Sequence, residues 1–272
     1  MSGAKGTPIA LTIAGSDSSG GAGIQADLKT FTVLGVYGAS VITAITAQNT
    51  QGVQDVLALP PAMIAAQMTS IATDLAVGAI KTGMLADRAT VETVAAGMSA
   101  FETVPLVVDP VMVATSGDVL LAPDAIDAVR TRLFPLATVI TPNLSEAAQL
   151  LDEPTAASED EMEAQGRRLL ALGPQAVLIK GGHGAEPVAT DILVFQSGSL
   201  RFSAPRIDTR NTHGTGCTLA AAIAARLALR DSLPSAVEAA KNFVWKAIDA
   251  GRGLAIGQGG GPVDHLHGIR RD

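Results

Sequence analysis

Short, continuously apolar runs alternate along this chain with longer stretches of helical periodicity, and no other feature limits the fold so tightly. A strand that is apolar on successive residues has to be covered on both faces, which is achieved when parallel strands are joined by crossover helices. The predicted strands are Ile9–Ala14 and residues 41–47, 106–109, 139–141, 176–180 and 192–195. The predicted helices cover residues 24–34, 62–71, 90–100, 123–133, 145–151, 159–172, 218–229 and 235–251. Ser158-Glu159-Asp160-Glu161 reads as a capping box at a helix start, which accounts for that acidic cluster without a metal. Gln196-Ser197-Gly198-Ser199 separates two apolar runs as a hairpin turn does, so an antiparallel edge is expected to finish the sheet. The expected class is α/β. The 272 residues contain no internal repeat, linker or low-complexity block, and one domain over residues 1–272 is the simplest organisation.

Composition narrows the classes of function. Hydrophobic residues make up 47% of the chain and aromatics only 3%, so the core is aliphatic, with alanines bringing helices close to the sheet. A net charge of -7 argues against nucleic acid as a partner, because no basic stretch is available to neutralise a phosphate backbone. No apolar run reaches the roughly 18 residues that span a bilayer, so no membrane partner is expected. The single cysteine excludes an internal disulfide and any cysteine-based zinc pattern, and a reducing cytoplasm is the expected location.

In open parallel sheets the ligand crevice lies beyond the carboxyl ends of the strands, and Asp109, Thr141 and Lys180 each close an apolar run there. Around that rim lie four constellations. Gly15-Ser16-Asp17-Ser18-Ser19-Gly20-Gly21-Ala22-Gly23 joins the first strand to the first helix and lets backbone approach a ligand closely. It lacks the Gly-Lys-Ser/Thr of a Walker A loop, and its match to a dinucleotide fingerprint is offset from the strand. Asn143 and Glu146 are three apart: they form either a helix cap or, with Asp109, part of a Mg²⁺ site. Lys180-Gly181-Gly182-His183 ends a strand with a cation suited to phosphate, while His183, His265 and His267 read as loop residues. Asn211-Thr212-His213-Gly214-Thr215-Gly216-Cys217-Thr218 runs into an alanine-rich helix. Free N–H groups and the helix dipole make such a turn an anion site, and the same field favours a thiolate at Cys217.

Taken in order, the glycine cluster through Asp27, Ala44-Ile45-Thr46-Ala47-Gln48-Asn49-Thr50, Lys81-Thr82-Gly83-Met84-Leu85, Thr141-Pro142-Asn143 and Asn211 to Thr218 resemble the hydroxymethylpyrimidine and phosphomethylpyrimidine kinases of thiamine biosynthesis. The resemblance covers nearly the whole chain. It implies a ribokinase-like, three-layer α/β/α sandwich with a mostly parallel central sheet, using ATP and Mg²⁺ on a small pyrimidine and forming a homodimer. It places Gln48, Gly15, Asp27, Met84 and Val111 at the pyrimidine, Asn143, Lys180, Thr212 and His213 at ATP, and Asp109 and Glu146 at the metal. Gly214, Thr215 and Gly216 become the anion hole, and Cys217 stands where many ribokinase-like kinases have an aspartate base. An amide at Gln48 suits this task, since an aminopyrimidine edge needs a donor and an acceptor together.

Two positions depart from the pattern: Thr82 stands where isoleucine is expected, and Gln258 where histidine is frequent. A pyridoxal or pyridoxine kinase is the near alternative, because that ring also carries a hydroxymethyl group. A non-catalytic binding module and a dinucleotide oxidoreductase are the readings from other classes; the first has no need of an anion turn, an acidic pair and a lysine on one rim.

Overall fold

The computed structural model describes residues 6–112, 120–182 and 187–269; His183 falls outside them. An eight-stranded sheet runs in the order β10-β9-β8-β7-β6-β5-β1-β2. Its strands are β1 (Ile9–Ala14), β2 (Tyr37–Ile42), β5 (Ala79–Thr82), β6 (Leu106–Val108), β7 (Val139–Ile140), β8 (Val177–Ile179), β9 (Val188–Phe195) and β10 (Gly198–Pro205). Pairing is parallel from β2 through β8, and β9 and β10 close the far edge as the expected antiparallel hairpin.

Both faces of the sheet are buried, as the apolar runs require. Ala10, Ala79, Val107, Leu178 and Leu193 face a layer made by α1 (Gly23–Val33), α7 (Thr215–Ala228) and α8 (Leu233–Gly251). Their neighbours Leu11, Ile80, Val108, Ile179 and Ile192 face α2 (Pro61–Ala72), α3 (Arg88–Gly97), α4 (Pro123–Ala128), α5 (Leu144–Leu151) and α6 (Glu159–Leu170). Successive side chains of a strand point to opposite faces, so one continuous apolar run serves two cores. Residues 220 to 225 of α7 are all fully buried, and five of these six being alanine seats the helix close against the sheet centre.

The structure corrects several boundaries. The run 41–47 is not one strand: β2 ends at Ile42, Thr43 turns out of the sheet, and β3 (Ala44–Asn49) pairs with β4 (Gly52–Ala58) as a separate two-stranded flap. Thr43 is the branch point, its N–H bonded to the Ala14 carbonyl at 3.0 Å and its hydroxyl to the Met84 carbonyl at 2.7 Å. The expected helix 123–133 is α-helical only to Ala128 and then widens into a π turn, Val129–Leu133. Helix α7 starts at Thr215, three residues earlier than expected, which places Cys217 inside its first turn. At Ser158 the cap forms, but Glu161 reaches back to the Ala157 N–H and not to that of Ser158.

The chain leaves β1 toward β2 on one side and returns as β5 on the other, so the topological switch point lies between β1 and β5. The long glycine loop after β1 is pinned there by Asp17. Its Oδ1 accepts from the Ser19 N–H at 2.8 Å and the Ser19 hydroxyl at 2.7 Å. Its Oδ2 accepts from the Ala22 N–H at 2.8 Å and lies 2.8 Å from His213 Nε2. This ties the first loop to the turn that opens α7. Gly214, at φ +79, sits so close to Gly21 that any side chain would collide with the Gly21 carbonyl oxygen.

Burial alone would raise the Asp17 carboxyl, yet the His213 and Ser19 bonds bring it from 3.8 to about 2. A depressed folded value adds stability above the unfolded value and loses it as pH falls from about 4 toward 2. Asp17→Ala is expected to cost about 1–3 kcal/mol at neutral pH, because several donors lose their acceptor, and to remove that acid-limb component; urea melts of both proteins at pH 7 and pH 3 measure it. The buried Thr82 hydroxyl has no hydrogen-bond partner among the described residues. Thr82→Val is accordingly expected to raise the melting midpoint by about 2–4 °C, as a gain of about 1 kcal/mol does in a chain of this size, and calorimetry decides it.

Candidate active site

The carboxyl ends of β1, β5, β6, β7 and β8 and the start of α7 meet on one rim. Next to β1, Gly15 approaches Met84: a side-chain carbon built on Gly15 would stand 3.1 Å from the Met84 sulfur. The flap covers this spot from above. Its register slips between Ala47 and Gln48, a bulge that re-aims the Gln48 side chain, and Gln48 Oε1 accepts from the Thr46 hydroxyl at 3.1 Å. Ser18 holds the flap down by donating to the Gln48 carbonyl at 2.7 Å and accepting its N–H at 2.8 Å. Gly15, Met84 and Gln48 thus share one neighbourhood. Val111 belongs to an adjoining wall, lining a small cavity with Thr82, Gly83 and Asp109.

Asp27 is brought to the same place by a different route, from beneath. It is fully buried on α1, bonded to Lys81 Nζ at 2.8 Å and to the Thr12 hydroxyl at 2.6 Å, and forms the floor of the site. Burial pushes its carboxyl above the ordinary value against the pull of Lys81. Burial would lower Lys81, but Asp27, Cys217 and Asp109 together outweigh it and hold the ammonium firmly charged.

The turn expected to form an anion hole opens α7, with Thr215 committed to the turn itself. The N–H groups of Gly216 and Cys217 in the first turn of α7 have no acceptor among the described residues, whereas Thr215 returns both its N–H and its hydroxyl to the Thr212 carbonyl. Thr212 therefore supports the turn through its backbone, and the His213 ring is committed to Asp17. Gly216 packs beneath the neighbouring charges: a side-chain carbon there would lie 3.3 Å from Lys180 Nζ and 3.8 Å from Asp109 Oδ2. The favoured thiolate at Cys217 does not form in the resting protein. Burial pushes the thiol up to about 11, Asp27 and Asp109 reinforce that, and the opposing influence of Lys81 and the Gly23 N–H is smaller.

Asp109, Glu146 and Lys180 form the second half of the rim. Lys180 Nζ lies 2.8 Å from Asp109 Oδ1 and 4.0 Å from Glu146 Oε2, and Thr141 donates to the same Asp109 oxygen at 2.9 Å. Burial would raise Asp109, but Lys180 and Lys81 hold it below the ordinary carboxylate range. Glu146 is pushed up to about 7 by burial, which the more distant Lys180 offsets only in part and the Asp109 charge reinforces. The capping reading of Asn143 is realised in full: its side chain accepts the Glu146 N–H at 2.9 Å and Glu146 Oε2 accepts the Asn143 N–H at 2.7 Å. Capping and ligation are compatible, because the cap fixes the carboxylate beside Asp109. Among the described residues no group of three or more acidic, histidine or cysteine side chains could hold a metal. Two buried carboxylates facing an anion turn do fit Mg²⁺, which keeps several waters and takes its remaining ligands from phosphate.

Two contributors escaped the sequence reading. Asp17 was visible only as one polar residue in a glycine loop, and its partner lies 196 positions away. Lys81 carried a signal, being the one charge in Ala79-Ile80-Lys81-Thr82, a strand too short and too interrupted to be predicted.

The family model for phosphomethylpyrimidine kinase matches residues 17–264. A hydroxymethylpyrimidine/phosphomethylpyrimidine kinase of Salmonella typhimurium is 53% identical over 95% of this chain and 97% of its own. One from Rhizobium meliloti is 55% identical, covering 96% and 98%. Among solved structures, an ADP complex of Bacillus subtilis pyridoxal kinase superposes with a TM-score of 0.88 at 40% identity, covering 96% of this chain and 98% of that one. A Clostridium difficile phosphomethylpyrimidine kinase gives 0.78 at 42% identity, covering 88% and 98%. With a glycine loop, a ring pocket and an anion turn meeting at one switch point, and with relatives of this identity along nearly the whole length, the chain belongs to the phosphomethylpyrimidine kinase family of ribokinase-like folds.

Proposed function

We propose that this chain, acting as one domain, transfers the γ-phosphoryl group of ATP to the hydroxymethyl group of 4-amino-5-hydroxymethyl-2-methylpyrimidine, and then phosphorylates the monophosphate to the diphosphate. The observation that carries this reading is the convergence of Gly15, Met84 and Gln48 with the free N–H groups of Gly216 and Cys217 at the β1–β5 switch. Gln48 pairs with the aminopyrimidine edge. The hydroxymethyl oxygen bonds to γ-phosphorus and gives up its proton to an oxygen of the transferred phosphoryl group or to an ionised Cys217, while the bond from that phosphorus to the β,γ-bridging oxygen breaks and ADP leaves. Asp109 and Glu146 would hold Mg²⁺, whose charge neutralises phosphate oxygens during transfer. Lys180 supplies a second positive charge on the same side, and Gly214 gives the turn its curvature through its positive φ.

Cys217 touches the reacting hydroxyl in this arrangement. As a thiol it orients that hydroxyl; it takes the proton only in its ionised form. Little is asked of a base in any case, because phosphoryl transfer runs through a loose transition state governed by positioning and charge. A pyridoxal kinase activity is the second reading, favoured by the close superposition on solved pyridoxal kinases at 36–40% identity.

The flap also exposes a cross-strand apolar pair, Ile45 opposite Leu57, which are 48% and 64% exposed. We assign this face to a homodimer contact. The described helices include none long and apolar enough to cross a membrane, in keeping with the cytoplasmic location we propose.

ADP release measured with the pyrimidine, its monophosphate and pyridoxal tests the assignment: the pyrimidine series is expected to give the higher kcat/KM, and a preference for pyridoxal overturns it. In the same assay Cys217→Ala is expected to lower kcat by roughly 10²-fold with ATP binding retained, and near-normal turnover removes the residue from the mechanism. Leu57→Glu is expected to convert a dimer to a monomer in light scattering; an unchanged mass refutes the flap contact.

A further inference from the structure

Lys180 reaches the phosphate side from a strand that stops one residue earlier, so its backbone needs an anchor outside the ladder. The antiparallel pairing of β8 with β9 ends at Ile179 opposite Ile192. Beyond that point the chain peels away from β9. The Lys180 N–H turns to the Pro142 carbonyl at 2.9 Å, on the β7 side. The next N–H, that of Gly181, donates to no strand carbonyl but to the Asp191 side chain, with Oδ1 at 2.9 Å in a buried bond. The approach is tight: any side chain on Gly181 would collide with the Thr190 carbonyl oxygen.

The other Asp191 oxygen is held from α8, where Lys241 Nζ lies 2.8 Å from Oδ2. Alternation along β9 sets this direction: Ile192 faces the core on the α2 to α6 side, so Asp191 points with Leu193 toward α8. By the same alternation Lys180, which follows Ile179, points toward α7, where Gly216 leaves room beside its ammonium. The Asp191 and Lys241 side chains are only 5% and 15% exposed. Ion pairs so placed are commonly no more stabilising than apolar residues that fill the same space, so stability alone does not account for this one.

We propose that Asp191 is a positioning residue for phosphoryl transfer that acts through Lys180: steadied by Lys241, its carboxylate fixes the Gly181 N–H and so sets the Lys180 ammonium between Asp109 and the first turn of α7. The catalytic part of this inference rests on the role given to Lys180 under the proposed function; the anchoring part does not.

Removing one charge would leave the other buried and unpaired, so the test uses paired neutral variants. Asp191→Asn/Lys241→Gln keeps a side-chain oxygen for the Gly181 N–H, and Asp191→Ala/Lys241→Met does not. With ADP release from the pyrimidine as the assay, the first is expected to stay within about threefold of the wild-type kcat and the second to fall by roughly tenfold or more, since a displacement of about 1 Å can cost about 10²-fold. The KM for the pyrimidine should not change in either. Equal kcat in the two variants, whether high or low, overturns the proposal. In a Lys180→Met background the difference between them should largely vanish, and a fully additive loss refutes action through Lys180. If Asp191→Ala/Lys241→Met does not fold, Gly181→Ala displaces the same peptide with the ion pair intact: a loss of kcat that disappears in Lys180→Met supports the proposal, and one that persists overturns it. Hydrogen exchange of the Gly181 amide reads the anchor independently of turnover. Protection is expected in the wild type and in Asp191→Asn/Lys241→Gln and its loss in Asp191→Ala/Lys241→Met; equal protection in all three overturns the anchor. Normal turnover of Lys180→Met would instead refute the role given to Lys180, and the catalytic part with it, leaving the exchange result to stand by itself.

Discussion

Everything at the active rim depends on β1 having parallel partners on both sides. The strand pairs with β2 along its whole length and with β5 along most of it, and the chain must leave toward one and return by the other. At such a switch the connecting segments diverge and leave a crevice at the strand ends. Here glycines permit the close approaches: Gly15 against the Met84 sulfur, and Gly214 against the Gly21 carbonyl. The low aromatic content belongs to the same solution. A sheet whose central helix, α7, presents buried alanines from Ala220 to Ala222 keeps that helix near enough for its first turn to reach the crevice.

The layers were legible because their signal is local. Apolar runs such as Ile9–Ala14 report two-sided burial by themselves, and Gly198 marks the β9–β10 turn without reference to anything distant. The site was legible in its turns and strand ends, where residue type and spacing constrain the backbone: Gly214 to Cys217, Asn143 with Glu146, Asp109 and Lys180. What escaped was set by contacts far apart in sequence. Nothing local separates β2 from β3, since the apolar run 41–47 crosses Thr43 without a break; the turn is imposed by Ala14 and Met84 on either side. The thiolate expectation failed for a related reason. A helix N-terminus is visible in sequence, but the desolvation of the sulfur and the nearness of Asp27 and Asp109, all of which raise the thiol, are not.

The two acid groups of the phosphate side illustrate how one lysine divides its influence. Lys180 is in hydrogen-bonding contact with Asp109 but 4.0 Å from Glu146, and the carboxyls separate accordingly: one held low, the other raised to about 7. A carboxylate already ionised beside one nearly neutral is a compact way to keep two acids buried a short distance apart, since both charges together would repel in the interior.

The C-terminal segment joins the two halves mechanically. Gly259 donates to the Thr50 hydroxyl at the flap tip at 3.1 Å, and Gly261 donates to Asn211 at 3.1 Å. Asn211 in turn donates to the Gly251 carbonyl at 2.8 Å, and Pro262 pairs with His213, the residue before the anion turn. Gly259 tolerates no side chain, since one would collide with the Thr50 carbonyl. Flap, C-terminal loop and phosphate turn therefore form one hydrogen-bonded strap from Thr50 to His213. Gln258 lies on the exposed side of that strap, where its side-chain oxygen accepts from Gln51 at 3.4 Å. Its departure from the family pattern leaves the buried bonds intact, so the geometry that brings the ring pocket to the phosphate turn does not depend on which polar residue stands there.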